Sequence, residues 1–142
     1  MFGSFQNSTR PSWTCFIDGA ALPSNKIELN ENYVRICSSS VNNIESKTTP
    51  TNLTVVASGT TDNSFLFDHI RYTPDASVLL DNATVVVDAY DDQIHYSSQW
   101  QPYADIGMET TGKASLTFDF IGALNWYQFS NISSNKIVQV SK

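Results

Sequence analysis

Apolar residues in this chain recur at every second position, and no stretch sustains the i, i+3, i+4, i+7 spacing of an amphipathic helix over three turns. The run Lys113–Ile121 shows the pattern most clearly: Leu116, Phe118 and Phe120 share one side, while Thr117, Asp119 and Ile121 share the other. A period of two belongs to extended backbone, where successive side chains point to opposite faces. Strands are therefore expected near Phe2–Phe5, Trp13–Asp18, Tyr33–Cys37, Asn52–Ser58, Phe65–Tyr72, Thr84–Asp88, Ile94–Tyr96, Lys113–Ile121, Ala123–Phe129 and Lys136–Val140. Turn residues punctuate them, most clearly at Asp18-Gly19, Ser58-Gly59, Pro74-Asp75 and Gly112.

One run breaks its own phase. Phe65 and Phe67 occupy odd positions, whereas Ile70 and Tyr72 occupy even ones, so the inward face changes midway, and a β-bulge near Asp68-His69 reconciles the two halves. Asp68 and His69, as neighbours on a strand, are expected to point to opposite faces and so not to act as one dyad.

Many short strands without helices must cover their apolar faces with one another. The expected fold is all-β, an antiparallel β-sandwich. The 142 residues suit a single domain. A domain of that size buries roughly 68–70% of its unfolded surface, enough for a core without a metal or a dense disulfide framework.

Charged residues make up only 15% of the chain, and Ser, Thr and Asn carry its solubility, an extracellular style of surface. The net charge of −6 argues against nucleic acid as a partner, because phosphate binding is driven by Lys and Arg. Cys15 and Cys37 each sit in an alternating apolar run, which places them on neighbouring strands and favours a disulfide; two buried free thiols are the alternative. Sequons begin at Asn7, Asn52, Asn82 and Asn131. A chain so rich in Ser, Thr and Asn yields such triplets by chance, and they gain weight only beside the cysteine pair. Together they point to a secreted or cell-surface location, although Met1–Arg10 has neither the basic nor the apolar region of a leader. No apolar run approaches the ~20 residues of a membrane-spanning helix.

Around one turn, acidic and aromatic residues gather. Asp88, Asp91 and Asp92 could converge on a hard cation, but without a distal bidentate Glu they read better as turn caps, and no metal is expected. Tyr90, Tyr96, Trp100 and Tyr103 cluster there as well. Aromatic faces beside acids and amides can grip sugar rings, so Tyr90, Asp91, Asp92, His95, Trp100 and Tyr103 form a candidate carbohydrate site. Tyr96 and Trp100 by themselves read better as core packing at a sandwich edge, and Trp13 and Trp126 as core.

For catalysis, His69 and His95 are the only histidines, and no GxSxG, HExxH, CxxC or glycine-rich phosphate loop occurs. A carboxylate pair could be drawn from Asp88, Asp91, Asp92 or Glu109, but the spacing selects none. The expectation is a noncatalytic module without a cofactor.

The motifs WTCFIDG (Trp13–Gly19), NLTVVASG from Asn52, FLFDHIRYTP (Phe65–Pro74) and VVVDAYDDQIHYSSQW (Val85–Trp100) together resemble a family of fungal (basidiomycete) surface proteins. That resemblance makes the expected antiparallel β-sandwich jelly-roll-like: it implies tandem galactose-binding-domain-like jelly rolls, commonly followed by a membrane helix. It also implies a rotated order of blocks, with residues 1–77 the closing half and 78–142 the opening half plus one duplicated strand. Phe5, Asn7 and Thr9 echo Phe129, Asn131 and Ser133 at a constant offset, as a duplicated strand would. Gln128 stands where the family tends to have glycine. The chain is then either a circularly permuted domain or a cut across two tandem ones. Closure follows within one molecule, or between two as a domain-swapped homodimer. The functional expectation is a carbohydrate-binding module, with a structural or adhesion ectodomain lacking its own ligand as the alternative.

Overall fold

The computed structural model describes residues 11–22, 37, 49–75 and 83–123. The strands expected at Phe2–Phe5 and Lys136–Val140, most of those at Tyr33–Cys37 and Ala123–Phe129, and Trp126 lie outside the described residues.

Among the described residues there are eleven strands and no helix. They are β1 (Ser12–Ile17), β2 (Ala20–Ala21), β3 (Thr51–Ser58), β4 (Phe65–Phe67), β5 (His69–Pro74), β6 (Val85–Asp88), β7 (His95–Tyr96), β8 (Gln101–Tyr103), β9 (Gly107–Thr110), β10 (Lys113–Phe120) and β11 (Gly122–Ala123). All pairings are antiparallel. One sheet has the order β2-β1-β3-β10-β7; two smaller ones run β11-β5-β6 and β4-β9-β8.

Local chemistry sets several of these elements. Asp18 and Gly19 join β1 to β2 with positive φ at both positions, 49° and 81°, the backbone of a two-residue turn that an Asp-Gly pair adopts readily. In β3, Thr51, Leu53, Val55 and Ala57 are buried while the residues between them are half-exposed, and β10 repeats the pattern with Ala114, Leu116, Phe118 and Phe120. Those two strands pair over their full length, Thr51 opposite Phe120 and Ser58 opposite Lys113.

Against this inner face stand Phe65, Phe67, Ile70 and Val87 from the smaller sheets. Tyr72 bridges the layers, its ring 5.9 Å from that of Phe118 and 5.3 Å from that of Phe120. Trp13 meets Phe65 at 5.9 Å. Each fully buried Phe or Leu in such a layer contributes about 1.5–3 kcal/mol.

The phase change at Asp68 is real and has a structural purpose. The run Phe65–Pro74 pairs with β9 up to Phe67 and with β6 from His69 onward, and the Asp68 carbonyl accepts the Ala89 N–H at 2.9 Å. One stretch of backbone thereby serves both small sheets. The two side chains at this junction depart from the expectation of opposite faces: His69 Nδ1 lies 2.9 Å from Asp68 Oδ2. Regular alternation fails where the chain changes partners, so the two can meet.

Cys15 and Cys37 form a disulfide with Cα atoms 5.8 Å apart. Closing that 22-residue separation restricts the unfolded chain by about 3 kcal/mol on a chain-entropy estimate. Residues before position 77 and after position 78 pair in every sheet: β3 with β10, β4 with β9, and β5 with both β6 and β11.

Candidate functional site

Strand β6 ends at Asp88 because its carboxylate turns the chain. Asp88 Oδ1 accepts the Tyr90 N–H at 2.9 Å, and its carbonyl accepts the Asp91 N–H at 3.0 Å. Asp91 repeats the device, its Oδ1 accepting the Gln93 N–H at 2.9 Å and its carbonyl the Ile94 N–H at 3.1 Å. Both carboxylates are thus committed to backbone donors, the behaviour of Asp in consecutive side-chain-closed turns. Ala89 and Ile94 are buried and tie the loop to the core. Beneath it the Tyr96 hydroxyl donates to the Ala89 carbonyl at 2.7 Å. Burial first, then the charge of Asp88 and the nearby Tyr90, push the Tyr96 phenol well above its ordinary pKa.

Tyr90 reaches from this loop to a neighbouring hairpin. Its hydroxyl lies 2.9 Å from the Ala104 carbonyl and 2.8 Å from the Gly107 carbonyl, and its single proton can serve either. Those carbonyls flank the turn between β8 and β9, where Ala104 has a φ of 48° and the Ile106 N–H returns to the Tyr103 carbonyl at 3.2 Å. Gly107 is required at the foot of the turn: a β carbon there would sit 2.2 Å from the Phe67 carbonyl oxygen.

The result is a surface on which Tyr90, Tyr103 and Ile106 remain 48%, 45% and 52% exposed. On the same sheet Gln101 Nε2 donates to Glu109 Oε1 at 2.8 Å, beside the exposed Leu66 opposite Glu109. Exposed apolar side chains gathered beside polar ones are what a recognition surface presents.

Of the six residues expected to form a carbohydrate site, the structure brings Tyr90 and Tyr103 onto this surface, with Asp91 and the exposed Asp92 in the adjoining loop. Trp100 does not belong there. It is 8% exposed, its indole N–H donates to the Ser115 carbonyl at 2.9 Å, and its ring packs at 5.4 Å from Tyr96 and 6.1 Å from Phe65. His95 is exposed on β7, in the five-stranded sheet rather than the sheet of β8 and β9. Sequence reasoning missed Gln101 and Ile106 and considered Glu109 only as a member of a carboxylate pair; the three follow no motif and meet only because β8 and β9 pair.

The Asp68–His69 contact extends further, since Arg71 Nε donates to His69 Nε2 at 3.0 Å. With Nε2 accepting, the ring proton is on Nδ1 and faces Asp68. Burial lowers the Arg71 pKa, and the charge of Asp68 opposes that shift. In this arrangement the Nε2 lone pair is occupied, and the chain of bonds braces the β4–β5 junction.

Asn52, the described sequon residue, is engaged in β3: its Nδ2 donates to Asp119 Oδ1 at 2.7 Å and its Oδ1 accepts from the Thr54 hydroxyl at 2.9 Å. Asn7, Asn82 and Asn131 lie outside the described residues. Among the described residues no three His, Cys, Asp or Glu side chains group to hold a metal ion, and no helix is long and apolar enough to cross a membrane. No protein-family model matches the chain, and neither a curated protein nor a solved structure gives a significant match to it.

Proposed function

We propose that this chain is a noncatalytic, extracellular β-sandwich module that binds carbohydrate on the hairpin surface of Tyr90, Tyr103 and Ile106. The observation that carries this reading is the pair of tyrosines left about half exposed, Tyr103 on the β8–β9 hairpin and Tyr90 reaching it from the β6–β7 loop, fixed in place by its hydroxyl. Aromatic faces supply contact area to the apolar side of a sugar ring, and the nearby Gln101 and Glu109 offer hydrogen bonds to its hydroxyls. The Cys15–Cys37 disulfide fits maturation in an oxidising compartment. The resemblance to fungal surface proteins points to the same setting.

A second reading, a structural or adhesion ectodomain, takes its support from the Tyr90 hydroxyl, which serves to staple the hairpin. A glycan array with the wild-type chain and Tyr103→Ala separates the two. Retention of at least one neutral glycan, lost in Tyr103→Ala while the melting temperature is kept, supports the sugar site. Retention of no neutral glycan by either chain favours the structural reading.

A further inference from the structure

On the other layer of the molecule, the ends of β1, β3 and β10 form an open trough of about 350 Å³. Register explains its shape. Ser12, Ser58 and Lys113 stand in one row across the three strands, Thr14 and Val56 in the next outward-facing row, and the Trp13–Ala57 pair between them turns inward. The volume falls at the lower end of the range of small-ligand sites.

The lining is unlike the rest of this acidic chain. It contains a lysine and three hydroxyls but no carboxylate. None of the side chains of Ser12, Thr14, Ser58 and Lys113 makes a hydrogen bond or ion pair within the described residues, so their donors are available. A cation flanked by hydroxyls suits one charged group on an otherwise hydroxyl-rich molecule.

We propose that this trough is a second saccharide subsite, selective for sugars that carry a carboxylate or sulfate, with Lys113 facing the anionic group and Ser12, Thr14 and Ser58 the ring hydroxyls. The subsite shares its ligand class with the hairpin reading but none of its residues.

Titration calorimetry of the full chain with a glucuronic-acid disaccharide, its neutral methyl ester and a sulfated disaccharide tests this. The free acid is expected to bind roughly tenfold or more tightly than the ester, the scale of one charge-assisted hydrogen bond. Lys113→Gln should erase that difference, Thr14→Val should weaken acid and ester alike, and Tyr103→Ala should leave the difference intact. A sulfated sugar bound in place of the acid would support the same site through the other anion. Binding of acid and ester equally with no preference for the sulfated sugar, binding of neither charged sugar, or discrimination unchanged in Lys113→Gln would overturn the proposal. Loss of discrimination in Tyr103→Ala would move the charged ligand to the hairpin and overturn it as well. Failure of the hairpin reading shows separately, as neutral glycans not retained.

Discussion

The Tyr90 hydroxyl lies 2.8 Å from the carbonyl oxygen of Gly107, so a side chain from the β6–β7 loop closes the foot of the β8–β9 hairpin. Replacing Tyr90 by Phe keeps the ring and removes this bond, leaving both carbonyls to water. The expected cost is about 1 kcal/mol, read in urea unfolding. Sugar affinity resting on ring stacking should survive that change, whereas Tyr90→Ala should abolish it.

Gly107 is the tighter constraint. A β carbon at this position would meet the Phe67 carbonyl at 2.2 Å, and backbone on both sides must shift to admit it. Gly107→Ala is expected to lose about 1–3 kcal/mol, the usual cost of overpacking. A melting temperature equal to wild type would show that β9 does not approach β4 so closely.

Trp100 behaves as core. Trp100→Ala should cost about 3–5 kcal/mol, a large share of the stability of an ordinary domain, read as a lowered denaturant midpoint. Trp100→Phe fills part of the volume but loses the indole hydrogen bond to the Ser115 carbonyl, which keeps its bond from the Ser97 N–H, and should fall between wild type and alanine in denaturant midpoint.

Alkaline pH should weaken the fold through two phenols. Burial raises the Tyr72 and Tyr96 pKa values above the ordinary 10.0, with nearby carboxylates adding to each shift. The unfolded chain therefore releases these protons first. The stabilisation is fully present below the unfolded value and declines as pH rises from there toward the folded values. Urea midpoints measured from about pH 9 to about pH 12 should fall, and Tyr96→Phe should flatten the decline while lowering the plateau through loss of the Ala89 bond.

The sheets were legible where burial imposes a strict alternation. Leu116, Phe118 and Phe120 announce β10, and the change from Phe65 and Phe67 to Ile70 and Tyr72 locates the β4–β5 junction, because a buried face leaves no freedom of phase. Strands β8 and β9 were not legible. Gln101-Pro102-Tyr103 is exposed throughout, with proline on the edge strand of its sheet, and Gly107–Thr110 buries its two ends rather than alternate positions. The candidate surface followed suit: Tyr90 and Tyr103 stand out as aromatics near turns, but burial of Trp100 depends on Phe65 and Phe67, more than thirty residues away in the chain. The meeting of Asp68 with His69 was hidden for a related reason, since it arises only where the chain exchanges one partner strand for another.

That exchange has a mechanical corollary. Because a single covalent run threads both small sheets, neither can peel from the five-stranded layer without dragging the other, and the Ala89 amide held by the Asp68 carbonyl ties the β6–β7 loop to the same seam. Amide hydrogens in β6 and β9 should consequently exchange with solvent through one shared opening event, so the hairpin surface inherits the rigidity of the interior rather than the looseness of an edge.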